Sequence, residues 1–184
     1  NEIIRKLPTN EVEIEITNGY ATIIRSGKSE FHLIGLDATE YPQLPEIAAD
    51  RQFTIPTDLL KSVIRETVFA VATSESRPVL TGVNWKVEGD ALICVATDSH
   101  RLARRKVNLE NLPNDITSVV IPGKSLNELN KILEDTNNPV QIVLTNQHVL
   151  FKTDDVLFFS RLLEGNYPDT SRLIPEEFKT MITI

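Results

Sequence analysis

The sequence predicts an α+β protein of tandem, pseudo-symmetric domains, each with two helices packed on antiparallel sheets. Three observations predict it. Short apolar runs alternate at period two between turn residues, as strands of a meander do. A strand-Pro-helix segment occurs twice, at Phe53-Thr-Ile-Pro56 and at Val119-Val-Ile-Pro122. Finally, the first 45 residues recur further along the chain with a displacement of 126 to 128 residues, too long for a solenoid repeat and suited to a duplicated domain.

Taken in order, Ile3, Ile4 and Leu7 share one helical face before Pro8, so Asn1 to Leu7 reads as a helix tail. Val12 to Ile16, Tyr20 to Arg25 and Phe31 to Leu36 follow as three strands, separated by Thr17-Asn-Gly19 and Ser26-Gly-Lys28. A strand at Gln52 to Ile55 leads into a helix from Asp58 to about Val71. Strands at Val79–Val87, Ala91–Thr97 and Leu102–Val107 come next. Val119 to Ile121 then opens a second helix from Ser125 to about Glu134, where Ser125 and Glu128 have the spacing of a capping box. Strands at Val140–Leu144, Val149–Phe151 and Val156–Leu163 close this set. They repeat the first meander: Val12 and Ile14 match Val140 and Ile142, and Tyr41-Pro42 matches Tyr167-Pro168.

The repeat assigns 1–45 to the second half of one unit and 46–172 to a whole unit. Because Gln52 to Ile55 maps onto Thr180 to Thr183, 173–184 is expected to be the first strand of a third. An opening without Met fits a piece of something longer. The Pro-bearing stretches at 41–45 and 167–171 read as linkers.

Composition excludes several classes. Hydrophobic residues make up 41% and charged residues 24%, with no apolar run near the ~20 residues of a membrane helix, so neither a membrane span nor wholesale disorder is expected. The formal charge of −7 argues against a module that grips phosphates over its whole surface. One cysteine, Cys94, and three histidines are a poor supply of disulfides or metal ligands. A reducing, cytoplasmic setting with no metal and no cofactor is therefore expected.

Two segments resemble catalytic motifs. Thr97-Asp-Ser-His-Arg101 contains the residues of a hydrolytic triad, but neighbours along a turn rarely converge as a triad must. Gly123-Lys-Ser125 ends like a phosphate-binding loop, yet that motif needs a glycine where this chain has Ser118. An enzyme acting on esters or nucleotides is the rival reading, and a structural repeat protein the bland one. The helices also expose scattered cations: Arg5 on the first, Lys61 and Arg65 on the outer side of the second, and Lys131 on the third, with Lys124 just before its start. Acidic neighbours dilute them, so tight sequence-specific DNA binding is not indicated.

Five spaced blocks then point further: Phe53-Thr-Ile-Pro-Thr-Asp-Leu-Leu60, Arg77-Pro-Val-Leu-Thr-Gly82, Ala96-Thr-Asp-Ser-His-Arg-Leu-Ala103, Val120-Ile-Pro-Gly-Lys124 and Leu163-Glu-Gly-Asn-Tyr-Pro-Asp169. Over its whole length the chain resembles the bacterial sliding clamps, the β subunits of DNA polymerase III. The resemblance implies the DNA clamp fold and a head-to-tail homodimeric ring that encloses duplex DNA. It implies no chemistry, only the tethering of the polymerase α subunit, the clamp loader, other polymerases and repair proteins, each through a short peptide. By matching position the peptide pocket comprises Leu80, Thr97, Ser99, His100, Arg101, Leu102, Pro168, Arg172 and Leu173. Ser99 stands where some relatives have glycine. Lys124 falls on a DNA-contact position, and Arg5, Lys61, Arg65 and Lys131 join it from the helix faces. Lys28, Glu30 and Phe31 match the ring interface. Without a third domain, the chain by itself is expected to be monomeric or only weakly associated.

Overall fold

The computed structural model describes residues 2–17, 19–41, 51–113, 116–174 and 179–180, with residue 172 described by its backbone alone. The chain divides into two compact units, Asn1–Pro45 and Glu46–Ile184. Of the strand expected at Thr180 to Thr183, residues 181–183 lie outside the described residues.

In the first unit, helix α1 (Glu2–Arg5) precedes strands β1 (Glu13–Ile16), β2 (Ala21–Ser26) and β3 (Ser29–Ile34), which pair antiparallel in the order β1-β2-β3. Register sorts the two faces. Ile14, Ile24 and Phe31 lie in one cross-strand row, while Glu13, Arg25 and Glu30 lie in the next and point the opposite way. The second face carries charge: Arg25 donates to Glu30 at 2.7 Å and to Glu15 at 2.8 Å.

The second unit begins with β4 (Arg51–Pro56), which runs directly into helix α2 (Thr57–Thr67). After two 3-10 turns come β5 (Gly82–Glu88), β6 (Ala91–Thr97) and β7 (Leu102–Asn108). Strand β8 (Val119–Pro122) then leads into α3 (Gly123–Ile132), followed by β9 (Pro139–Leu144), β10 (His148–Lys152) and β11 (Leu157–Arg161). The sheets are ordered β7-β6-β5-β8 and β11-β10-β9-β4. Each half therefore lends its first strand to the other half's meander. A further bond, from the Leu163 N–H to the Val120 carbonyl at 2.8 Å, ties the end of the second meander to β8.

Burial follows the periods that predicted the elements. Phe53 and Ile55 of β4, Leu60, Val63 and Ile64 of α2, and Leu126 and Leu129 of α3 are buried with Trp85, Cys94, Ile142 and Phe151. Trp85 meets Phe151 edge to face at 6.1 Å. Cys94 is fully buried as expected of a core residue, and burial pushes its thiol pKa well up. A threonine N–H closes the first turn of each meander, Thr17 onto the Ala21 carbonyl at 2.8 Å and Thr145 onto the His148 carbonyl at 2.9 Å, the turn of the first unit being one residue longer. No helix among the described residues is long and apolar enough to cross a membrane.

Two expectations are corrected. The Ser125–Glu128 capping box does not form, because α3 starts at Gly123 with Pro122 at its N-cap. Ser125 thus falls inside the first turn, where its hydroxyl accepts from Ser160 at 2.9 Å, and Glu128 accepts from Lys131 instead. The second concerns Lys61. Its side chain is only 10% exposed, and Nζ donates to the Leu133 carbonyl at the end of α3 at 2.8 Å and pairs with Asp135 at 2.6 Å. Lys61 lies four residues after buried Thr57 and three before buried Ile64, on the edge of the helix's packed stripe.

Candidate functional site

The segment 97–101 joins β6 to β7 as a turn held from within. Thr97, buried at the end of β6, donates its hydroxyl to the Arg101 carbonyl at 2.7 Å and accepts the Ser99 N–H at 3.1 Å. The Asp98 carboxylate accepts the His100 and Arg101 N–H groups at 2.9 and 3.0 Å, and the Arg101 side chain at 3.1 Å. The His100 backbone bond is the main cause that holds the Asp98 pKa below the usual carboxylate range. Ser99 occupies the left-handed region at φ +81°, which side chains other than Asn, Asp and Gly seldom adopt.

Opposite the turn, the chain between α2 and β5 folds over Leu80, which is 2% exposed. Between them opens a cleft of about 320 Å³ lined by Val71–Ser74, Ser76, Arg77, Leu80, Asp98, His100 and Arg101. Arg77 reaches across to donate to the Ser99 hydroxyl at 2.6 Å. The Arg101 guanidinium stands 5.9 Å from the Phe69 ring centroid. Val71, Ala72 and the edge of Leu80 are its apolar lining among mostly polar groups, an arrangement open to a short extended ligand.

The expected pocket residues are partly gathered here. Leu80, His100 and Arg101 line the cleft, Thr97 and Ser99 shape the turn, and half-buried Leu102 opens β7. Pro168 and Leu173 are exposed outside the cleft lining, and the Arg172 side chain lies outside the described residues. The sequence reading missed Arg77 and Tyr167. The Tyr167 hydroxyl accepts the Thr97 N–H at 3.0 Å, fastening the stretch before Pro168 to the end of β6, and burial raises its pKa. Both residues stood inside blocks already singled out, but nothing in a linear pattern reports which of a block's side chains turns toward a distant turn.

No triad is assembled, since the Asp98 oxygens bond to backbone N–H groups and Arg101 rather than to a histidine ring. Lys124 sits exposed in the first turn of α3, with β8 entering the helix directly and no loop to cradle a phosphate. It shares a shallow cleft with Lys131, which pairs with Glu128 at 2.8 Å. Arg65 on α2 and Arg5 on α1 are exposed. Lys61, turned inward to the end of α3, does not belong with them. In the first unit Lys28 is exposed in the β2–β3 turn. Glu30 is held by Arg25 and His32, and Phe31 is exposed on the edge strand β3. Among the described residues no group of three ligating side chains could hold a metal ion.

A family model described as the central domain of the DNA polymerase III beta subunit matches residues 54–169, and the N-terminal domain model of the same subunit matches residues 1–45. The chain belongs to the DNA polymerase III beta subunit family. It is 63% identical to the beta sliding clamp of Bacillus subtilis over its whole length, which corresponds to 49% of that protein. The crystal structure of the DNA polymerase sliding clamp from Bacillus subtilis superposes with a TM-score of 0.78 at 64% identity, covering 96% of this chain and 46% of that one. A sliding clamp from Pseudomonas aeruginosa bound to griselimycin gives 0.79 at 31% identity, covering 97% and 48%. The fold is thus the clamp fold, and the chain spans about half the length of the beta subunits it matches.

Proposed function

We propose that this chain is part of a sliding clamp, a non-catalytic processivity factor whose full-length ring encloses duplex DNA and tethers polymerase III, the clamp loader and other DNA-acting proteins in the cytoplasm. The observation that carries the reading is the 63% identity to a beta sliding clamp along the whole chain. In this reading 1–45 is the second half of the first clamp domain, 46–172 is the whole second domain and 173–184 opens the third. Lys124 is the principal DNA-facing cation, supported by Arg65, Lys131 and Arg5. A few exposed cations on mixed faces attract phosphates without locking a register, which is what sliding requires. Lys28, Glu30 and Phe31 on the open edge of the first unit belong to the ring interface. The cleft beside Leu80, completed by Leu102, Pro168, Arg172 and Leu173, takes the partner peptide.

The test uses the full-length protein. Loaded onto nicked circular DNA by its clamp loader, it is expected to stay on the circle regardless of sequence and to run off once the circle is cut. Release from intact circles at the same rate as from linear DNA would overturn the ring reading. For the cleft, Leu80→Ala is expected to weaken an apolar clamp-binding peptide by about 1–3 kcal/mol, the range of a modest hot spot. Unchanged affinity would remove the site.

A further inference from the structure

We propose that Glu128 is a positioning residue for sliding: it holds the Lys131 ammonium back from the phosphates, so that this cation brushes the DNA without gripping it. The role rests on the reading of the chain as a ring subunit around duplex DNA and adds what limits the friction between the two.

Helix α3 turns three charges to one side. Lys124, Glu128 and Lys131 follow one another at four and three residues, the spacing of a single helical face. All three are exposed and line the same shallow cleft. Glu128 therefore sits between two lysines, inside the surface that attracts phosphate. It takes one of them: Lys131 Nζ donates to Glu128 Oε1 at 2.8 Å, with the two side chains 68% and 52% exposed. Lys124 has no carboxylate within ion-pair distance among the described residues.

An acid beside a supporting cation is a recurring arrangement. The displacement of 126 residues that aligns Asn1-Glu2 with Asn127-Glu128 also aligns Arg5 with Lys131, so α1 carries the same acid three residues before its exposed base. On α2, exposed Arg65 lies in the field of Asp135, whose carboxyl is held below the usual range mainly by Lys61 and more weakly by Arg65.

The strength of the Glu128–Lys131 pair suits the task. An exposed pair three residues apart on a helix shifts an equilibrium only about twofold. That is too weak to withdraw Lys131 from the surface, yet enough to compete with each phosphate it meets, because the carboxylate stays within reach while the phosphate passes. A moving ring must break every phosphate contact to advance, so a lysine that exchanges between its own carboxylate and the DNA lowers the barrier to each step. The carboxylate also repels phosphate directly, and salt screens both effects. A buried partner would remove the cation altogether, which is the fate of Lys61.

The experiment tracks the labelled full-length protein on a long duplex with blocked ends and reads its one-dimensional diffusion coefficient against salt. Glu128→Gln is expected to diffuse about twofold more slowly than wild type at low ionic strength. The gap should close toward about 1 M salt, where charges more than ~3 Å apart are screened. Glu128→Lys should be slower still. With Lys131→Gln already in place, Glu128→Gln should lose most of its effect. Glu164→Gln, which removes the same charge from an exposed pair with Arg161 outside the helices, should diffuse as wild type. Unchanged or faster diffusion of Glu128→Gln overturns the proposal. So does a full effect of Glu128→Gln in the Lys131→Gln background, which would mean that Glu128 does not act through Lys131. Equal slowing by Glu164→Gln would trace the change to net charge and overturn it as well. A wild type that leaves intact circles as fast as linear DNA defeats the ring reading and this role with it, whereas a retained ring that Glu128→Gln fails to slow defeats the role alone.

Discussion

Lys61 is a cation that a surface reading places on the wrong side of its helix. Its ammonium closes the end of α3, satisfying the buried Leu133 carbonyl and drawing Asp135 toward it. Removing one partner of a buried polar contact leaves the other unsatisfied at about 1–3 kcal/mol. Lys61→Ala should therefore lower the urea midpoint by a corresponding amount. In DNA-retention assays at a temperature where both are folded, it should behave as wild type, whereas Lys124→Ala should shorten retention. A shortened lifetime for Lys61→Ala in that assay would return Lys61 to the DNA face. The sequence reading puts Lys61 on the outer side of α2 with Arg65, whereas the buried stripe runs through Thr57, Leu60, Lys61, Ile64 and Thr67. What a single helix cannot reveal is the carbonyl of a neighbouring helix waiting 72 residues away in sequence.

Among the elements, the 97–101 turn and the start of β5 show how close tolerances serve the cleft. Asp98 is held below its ordinary pKa by the N–H groups it accepts. A carboxylate so depressed contributes in full above its unfolded value near ~4, and the contribution is lost as pH falls through the lower folded value. Hydrogen-exchange protection of His100 and Arg101 should thus decline below about pH 4, and in Asp98→Asn it should lose that dependence. Gly82 has a different constraint. A Cβ there would lie 2.7 Å from the Ile121 carbonyl oxygen and 2.8 Å from Leu163 Cδ1. Gly82→Ala is expected to cost about 1–3 kcal/mol by overpacking, read as a fall in thermal midpoint. The strands on either side were readable from alternation, whereas the glycine's role depends on β8 crossing beside it, which no local pattern encodes.

For the whole molecule, the repeat disclosed the halves but not how they interlock. Alternation finds β4 and β8 as strands, and nothing local says that each pairs with the meander of the opposite half. That exchange makes the second unit one cooperative body. Trp85 is the chain's single tryptophan and is fully buried in that core. Its emission in urea should shift in one transition coincident with the loss of backbone dichroism attributable to the second unit. Ile55→Ala, a cavity in β4, should move that transition by about 2–5 kcal/mol even though Trp85 lies in the opposite sheet. Two separated transitions in a protein holding only the second unit would show that the halves unfold on their own.

The same crossing of first strands has a consequence for how the fold could be divided. Cut in the connection between β7 and β8, the second unit yields two polypeptides, each carrying the strand that completes the other's sheet. Neither piece can seal its own edge, so each is an unfinished template whose natural complement is its sibling. The unit is in this sense a heterodimer written on one chain, and a designer seeking a reporter of two molecules meeting would find the seam already drawn.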